Sequence, residues 1–248
     1  MSWGYGYPEY VSIAQKRASA QTKLIKLKKE KKYGDIEPII IEGNAITSTW
    51  WGKAWCKNLE RYSDYANRIG RGRSYVKNGF IFDLKIHPGK IISLVQGSEK
   101  NPYKCEIKIE PLSEGIWENI KKLTESNFDS IHTLLHGKFP KELQEILSAE
   151  GKGIFPSPKE ISFDCSCPDW ADMCKHIAAS LYGVGSKLDK FPELLFTLRG
   201  VNMNDLIGTT IQSHKNSIIE KASKVKSNRI ITIKNQPLSD MFGIDFKE

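Results

Sequence analysis

Residues 163–176 of this chain read Phe163-Asp164-Cys165-Ser166-Cys167-Pro168-Asp169-Trp170-Ala171-Asp172-Met173-Cys174-Lys175-His176. Three thiols and one imidazole follow in the order C-x-C-x6-C-x-H. In an extended segment Cys165 and Cys167 point to the same side, so their sulfurs can share one ion. Pro168 opens a run of turn-forming residues, which would bring Cys174 and His176 back against them. The stretch predicts a closed tetrahedral Cys3His zinc site that leaves no position for a substrate.

The competing interpretation is that buried cysteines and a surface turn lie near one another without sharing a metal. It leaves four metal-ligating side chains idle within fourteen residues, and the zinc interpretation uses all of them. The run from Ile177 to Tyr182 has an apolar helical face, and Gly183 after it is a common helix terminator. We therefore expect a short helix directly behind the metal ligands.

Cys165, Cys167, Cys174 and His176, with the helix that follows, resemble the SWIM zinc finger. The motif covers a small part of the chain, and its flanks extend the similarity to bacterial stand-alone SWIM proteins. The resemblance implies a β-β-α zinc module that binds DNA or protein, often beside or inside Swi/Snf-type ATPases. The flanking segments that carry it are Trp50-Trp51-Gly52-Lys53-Ala54-Trp55, Gly72-Arg73-Ser74-Tyr75, Phe155-Pro156-Ser157-Pro158-Lys159-Glu160-Ile161 and Phe196-Thr197-Leu198-Arg199-Gly200.

The composition restricts the class of partner. The chain has 248 residues, of which 40% are apolar, and a net charge of +8, which favours a polyanion, an acidic protein face or a membrane surface. No apolar run is long enough to span a bilayer or to act as a signal peptide, so we expect a cytoplasmic protein without a membrane partner. Three cysteines are assigned to zinc, and the remaining thiols of Cys56 and Cys105 suggest a reducing compartment.

Charge runs and turn-rich segments divide the chain into four parts. Residues 1–34 form a basic N-terminal arm, in which the lysine-rich part from Lys16 to Lys32 is expected to be a marginal helix or a tail. Residues 35–150 form an α+β domain. Residues 151–208 hold the zinc module and the helices after it, and residues 209–248 are a polar and basic tail.

The first helix of the α+β domain is expected to begin at a cap on Ser48 or Thr49 and to continue to about Ile69. The loop Gly70-Arg71-Gly72-Arg73-Ser74 after it combines glycines with two arginines, which is the chemistry of an anion-binding loop, although such a loop also serves as a solvated turn. The candidate nucleic-acid contacts are Lys53, Lys57, Arg71, Arg73 and Lys175.

The middle of the chain predicts an antiparallel meander of about four strands. A hairpin is expected at Asn78-Gly79, because this dipeptide readily adopts a type I′ turn between the segments 73–77 and 80–87. Residues 90–96 and 103–110 supply the next strands, and Phe80, Phe82, Leu84 and Ile86 are expected to share one face. The predicted fold class is α+β: an antiparallel meander with helices, then a small ββα zinc-binding module and short helices.

Two functions of different classes follow. In the first, the chain is a zinc-binding accessory subunit that contacts nucleic acid, with DNA and a Swi/Snf-type helicase as candidate partners. In the second, it is a protein adaptor that does not touch DNA. An enzyme is not expected, and neither is a small-molecule substrate, since no nucleotide-binding loop, nucleophile elbow or open metal triad is visible. Two weaker metal patterns are a nuclease half-site at Asp83 and Lys85 and the pair His132 and His136.

Overall fold

The computed structural model describes residues 11–30, 34–61, 66–125 and 140–206, together with residues 208, 215, 216 and 219. His132, His136 and nearly all of the predicted C-terminal tail lie outside this part of the chain. In chain order the helices and strands are α1 (Ile13–Lys29), α2 (Trp50–Glu60), α3 (Ala66–Lys77), β1 (Ile81–His87), β2 (Lys90–Val95), β3 (Tyr103–Ile109), α4 (Glu114–Glu125), α5 (Lys141–Ser148), β4 (Ile161–Cys165), α6 (Lys175–Leu188) and α7 (Glu193–Leu198). A 3-10 turn at Pro158–Glu160 precedes β4.

The strands form one sheet in the order β1-β2-β3-β4, and all three strand pairs are antiparallel. One row of paired residues crosses this sheet from Leu84 through Ser93 and Cys105 to Cys165. The sheet therefore delivers Cys165, the first predicted zinc ligand, from its edge strand. The predicted α+β class, with an antiparallel sheet and helices, is confirmed.

Helix α6 is the element that the rest of the described fold packs against. Its residues Ile177, Leu181 and Val184 are fully or almost fully buried. The Trp55 indole N–H donates to the Leu181 carbonyl over 2.8 Å, and the hydroxyls of Ser93 and Ser180 lie 2.6 Å apart. These two buried hydrogen bonds fix α6 against α2 on one side and against the sheet on the other.

The close approach of α6 to its neighbours depends on glycines. A Cβ atom at Gly72 in α3 would lie 2.6 Å from Cβ of Ala178, and one at Gly183 would lie 2.8 Å from Leu84. Helix α6 continues through Gly183 to Leu188, so the predicted end at Gly183 is wrong. Gly183 does not end the helix: its lack of a side chain lets α6 pack closely against Leu84 of β1.

The main apolar core extends across the predicted boundary at residues 151–158. Val76, Ile107, Ile154 and Leu181 belong to one buried apolar cluster, and β4 pairs with β3. The predicted division into domains stays a prediction. No helix in the described ranges is long and apolar enough to cross a membrane.

Residues 66–79 differ most from expectation. The predicted anion-binding loop at residues 70–74 and the first predicted strand at 73–77 are wrong, because both segments are part of α3. The expected continuous helix from Thr49 to Ile69 is wrong as well, because α2 ends at Glu60 and Ile69 lies in α3. Asn78-Gly79 is the turn that ends α3, not a hairpin turn: Gly79 has φ +71, and its N–H donates to the Val76 carbonyl over 3.1 Å. The fourth strand of the sheet is β4 instead.

Strand β1 is buried on both faces because it packs against two apolar clusters, and its register with β2 shifts between Ile81 and Asp83. Leu84 belongs to the main core, whereas Phe80 and Phe82 belong to a second cluster, so the predicted common face is wrong. Ala20 of α1 is buried in this second cluster. The lysine-rich segment therefore contains a helix, which a Ser12–Gln15 capping box starts.

Candidate metal centre

The four predicted zinc ligands meet where β4 and α6 come together. Cys165 is the last residue of β4, and Cys167 follows two positions later. Cys174 is the N-cap of α6, and His176 lies in the first turn of that helix. One potential ligand atom from each residue lies within 4.8 Å of all the others. A strand end and a helix start thus hold the two halves of the motif face to face.

The distances fit a tetrahedral ion. His176 Nδ1 lies 3.9 Å from Sγ of Cys165 and 3.8 Å from Sγ of Cys174. Ligands at zinc–sulfur and zinc–nitrogen distances of about 2.3 and about 2.0 Å stand roughly 3.5–3.8 Å apart at the corners of a tetrahedron. The cluster is close enough to hold a metal ion, and its three sulfurs and one nitrogen are consistent with zinc.

Protonation also favours a metal in this pocket. Burial, with a smaller effect of Lys175, lowers the pKa of His176 to about 4, so its imidazole is neutral and keeps a lone pair at neutral pH. Without a cation, a hydrogen bond with Cys105 and the burial of the sulfur raise the pKa of Cys165. The hydrogen bond with Cys165, followed by burial, raises the pKa of Cys174. A divalent cation reverses this preference, because thiolates replace thiols when a metal binds.

Two aromatic rings and a glycine hold the imidazole of His176. The ring centres of Tyr103 and Tyr75 lie 4.6 and 5.5 Å from the centre of the histidine ring. A Cβ atom at Gly97 would lie 2.8 Å from Nε2 of His176, so only glycine fits there without displacement. This Nε2 is buried and has no hydrogen-bond partner among the described residues. Nδ1, which faces the sulfurs, is therefore the atom in position to bind a metal ion.

Sequence reasoning missed Tyr75, Gly97 and Tyr103. They come from α3, from the residues after β2 and from β3, so no local pattern connects them to the zinc motif. A fifth sulfur was also missed: Sγ of Cys105 lies 3.6 Å from Sγ of Cys165 on the paired strand. Cys105 is buried beside the four-residue cluster without belonging to it.

The loop between the two pairs of ligands is held in place at several points. The Asp169 carboxylate accepts from Arg68 over 3.1 Å and from the Ala171 backbone N–H over 3.3 Å. The Ser166 backbone N–H donates to the Lys104 carbonyl over 3.0 Å. The side chain beside Asp169 is nevertheless free of the core, since Trp170 is 92% exposed. The loop thus presents a large aromatic ring to solvent on a fixed base.

The predicted nucleic-acid contacts fall into separate places. Nζ of Lys175 lies 5.9 Å from the Tyr75 ring centre beside the metal cluster, and Arg71 is one helical turn before Tyr75 on α3. Arg73 is engaged elsewhere: it donates to the Tyr182 hydroxyl over 2.7 Å and pairs with Glu60. Lys53 and Lys57 are on α2, where they line a pocket with Phe155.

The Asp83 and Lys85 pair has structural contacts. Asp83 is buried, accepts from the Glu37 backbone N–H over 2.8 Å and lies 3.7 Å from Nζ of Lys85. Within the described ranges, Asp83 is not part of any group of three or more metal-ligating side chains. The aspartate therefore ties the segment before α2 to β1.

Fold and site together define an α+β protein with a Cys3His cluster between its edge strand and its central helix. The chain is 34% identical to an uncharacterized protein of Mycobacterium tuberculosis, Rv2102, over 164 residues. This match covers 66% of the chain and 59% of that relative, so the chain spans less than two thirds of the relative's length. No protein-family model matches the chain, and no solved structure matches it.

Proposed function

We propose that this chain is a SWIM-type zinc module that acts as an accessory subunit in nucleic-acid transactions. The observation that carries the proposal is the convergence of Cys165, Cys167, Cys174 and His176 within 4.8 Å. The resemblance of the motif and its flanks to stand-alone SWIM proteins supports the same assignment. It also makes a Swi/Snf-type helicase the partner to test first.

The zinc would be structural in this proposal. A bound zinc ion supplies free energy that holds β4, the loop and α6 together, because the ligands of a closed set meet only in the folded state. Four protein ligands complete a tetrahedron, so the ion would have no open position for a substrate. We therefore propose a binding function and no catalytic one.

Contact with nucleic acid is proposed for the surface formed by Arg71, Tyr75 and Lys175, named here the α3–α6 patch. Arg71 is exposed, and Lys175 is partly buried at the first turn of α6. Two cations beside an aromatic ring suit phosphates together with a stacked base. The net charge of +8 supports the same kind of partner. Zinc would fix the patch indirectly, since Lys175 lies between two ligands in the sequence.

A second candidate function, the protein adaptor, is favoured by Trp170. Its ring is 92% exposed, and the acidic residues Asp169 and Asp172 flank it in the loop. Exposed tryptophans are typical anchors of protein interfaces, and flanking carboxylates repel phosphates. The loop therefore suits a protein with a basic surface, while the α3–α6 patch suits a polyanion.

The experiment that tests the proposal measures zinc content and DNA binding on one purified sample. Binding to double-stranded and single-stranded DNA is followed at two salt concentrations, since phosphate contacts make affinity fall steeply with salt. We expect one zinc per chain and salt-dependent binding that Arg71→Ala with Lys175→Ala weakens. Lys77→Ala with Lys122→Ala is the control of equal charge, because both lysines are exposed and stand outside the patch, Lys77 at the C-terminal end of α3 and Lys122 in the last turn of α4.

Each part of the proposal can fail separately. A chain without zinc would refute the metal assignment. A zinc-loaded chain that binds no DNA at low salt would make it an adaptor, and capture of a Swi/Snf-type helicase would then be lost on Trp170→Ala. Equal weakening by the test pair and by the control pair would mean that charge alone, and not the α3–α6 patch, binds the DNA.

A further inference from the structure

A cavity of about 310 Å³ lies between α2 and the segment from Ser148 to Phe155, away from the metal ligands. Its walls combine basic and aromatic side chains. We name it the α2 pocket, and the residues that matter for its chemistry are Trp50, Lys53, Lys57, Arg61, Ser148 and Phe155.

The pocket carries an excess of positive charge. Lys53 and Lys57 are four residues apart on α2, so they project from the same side of the helix. Both are exposed, and neither has an ion-pair partner within the described ranges. Among the described residues Arg61 has one acidic partner, Glu150 at 3.7 Å, and both of these side chains are well exposed. Three cations face a single weakly held carboxylate, which indicates an anionic ligand.

The aromatic wall is formed by Trp50 and Phe155. Their ring centres lie 5.9 Å apart at 73°, in an edge-to-face arrangement. The ring of Trp51, which is buried, supports Trp50 from the core side, with 4.7 Å between the two ring centres. An aromatic surface beside cations can stack against a flat ring while the cations bind an attached phosphate.

The pocket is formed before any ligand enters. The Asn58 amide donates to the Pro156 carbonyl over 2.8 Å, which ties the far wall to α2. At α2's first turn, the Thr49 hydroxyl donates to the Asp189 carboxylate over 2.6 Å. Both walls are thus anchored to the core, so a ligand would bind without a large ordering cost.

We infer that the α2 pocket binds a nucleotide, with the phosphate on Lys53, Lys57 and Arg61 and the base against Trp50 and Phe155. The cavity is at the lower end of the volume range for small-molecule sites, about 300–1,000 Å³, which suits one nucleotide and no larger unit. The nucleotide can be a free molecule or one unit of a single strand, since both offer a phosphate joined to a flat base.

This inference does not rest on the proposed function. The pocket residues differ from both the zinc ligands and the α3–α6 patch, so nucleotide binding can be present when duplex binding is absent. It does change one expectation, because the sequence alone predicted no small-molecule ligand.

The test uses the full zinc-loaded chain and three probes: adenosine monophosphate, inorganic phosphate and an oligothymidylate of about ten nucleotides. Affinities are measured by calorimetry for the wild type, for Lys53→Ala with Lys57→Ala, and for Trp50→Leu. The control is Lys77→Ala with Lys122→Ala. We expect adenosine monophosphate to bind more tightly than phosphate, and the lysine pair to weaken it by about tenfold or more, since charge-assisted hydrogen bonds are lost.

The outcomes separate the two sources of the ligand. If the lysine pair also weakens the oligothymidylate and reduces its salt dependence, the pocket holds a unit of a single strand. If only adenosine monophosphate is affected, the ligand is a free nucleotide. The inference is wrong if adenosine monophosphate does not bind, if it binds no better than phosphate, or if Lys53→Ala with Lys57→Ala behaves like the control. Trp50→Leu should weaken adenosine monophosphate and leave phosphate unchanged.

Discussion

The two ends of β4 are joined to the rest of the protein by different chemistry. At the Ile161 end, the buried guanidinium of Arg199 donates over 2.6 Å to the Glu160 carboxylate and over 2.6 Å to the Glu110 carbonyl. At the other end, Cys165 faces Cys174 and His176, whose uncharged thiols and imidazole have only weak mutual attraction. Charged protein groups hold the first end together, whereas a cation would supply the missing attraction at the second.

This difference separates what folds without metal from what requires it. The ion pair, the α3–α6 packing and the strand pairs of the sheet involve protein groups alone. In the proposed zinc-bound state, the loop from Cys165 to Cys174 and the first turn of α6 would gain their largest stabilisation from the ion. Removal of metal should therefore loosen one end of β4 and leave the other end folded.

The largest effect is expected from removing a ligand. Cys174→Ser should reduce zinc from one ion per chain to none and expose residues 163–183 to hydrogen exchange. A closed zinc site in a small module contributes roughly 10 kcal/mol or more, so the local loss should exceed that of any packing variant. Zinc analysis and exchange mass spectrometry on the same samples measure both quantities.

Cys56→Ser is the matched control. Cys56 is a buried thiol of the main core that does not belong to the four-residue cluster, and burial raises its pKa to about 12. This variant should keep its zinc even where it loses stability. Full zinc content in Cys174→Ser would contradict the proposed ligand set, and uniform exchange over the whole sheet would contradict the independence of the two ends of β4.

The second effect concerns the opposite end. Arg199→Leu removes the hydrogen bonds of a buried guanidinium to Glu160 and to the Glu110 carbonyl, while Glu160 keeps Ser157 and partial exposure, so unfolding free energy should fall by about 3 kcal/mol. Zinc stoichiometry should not change. Chemical denaturation with parallel zinc analysis tests this, and loss of zinc at native conditions would show that the two ends are coupled.

The pH dependence sharpens this test. Burial opposes ionisation of Glu160, but hydrogen bonds from Ser157 and Arg199 outweigh it and lower its pKa below the usual 4.5. As pH falls through this value, the unfolded chain takes up a proton before the folded chain does, so the stability that the carboxylate contributes is lost. Arg199→Leu should therefore show a shallower loss of stability below about pH 4.5 than the wild type.

A third effect isolates the body of α6 from either end of β4. Gly72→Val forces a side chain into the contact with Ala178 and should cost about 1–3 kcal/mol or more, as overpacking does. Gly70→Ala in the same helix is the control, because nothing lies within 4 Å of its Cβ position. Alanine there should be neutral or stabilising by up to about 1 kcal/mol, since it favours the helix. Thermal denaturation distinguishes the two, and equal effects would contradict the close crossing.

The sequence predicted the metal cluster because its four residues lie within twelve positions and their spacing is a local property. It also predicted β1, β2 and β3 from alternation and from turns such as Pro88-Gly89. It failed for α3 because the glycines at positions 70 and 72 favour a loop over a helix. The reason for a glycine at position 72 is the close approach of Ala178, which is far away in the sequence. Asn78-Gly79 was misassigned because the same left-handed glycine can end a helix or turn a hairpin.

The smallest effect on stability is expected at Trp170, which lies in the loop beside the metal end of β4. With 92% of the residue exposed, Trp170→Ala removes almost no buried area, so unfolding free energy should change by less than about 0.5 kcal/mol and zinc should be retained. Binding of a protein partner should nevertheless weaken, because an exposed tryptophan on a fixed base is suited to act as an anchor.

Arg68→Ala tests whether the loop must be held rigid. This variant keeps the Trp170 side chain but removes the contact of Arg68 with Asp169, which loosens the loop. Partner affinity should therefore fall by less than with Trp170→Ala. If Trp170→Ala instead destabilised the metal end, the ring would be part of the fold and the adaptor surface would have to lie elsewhere.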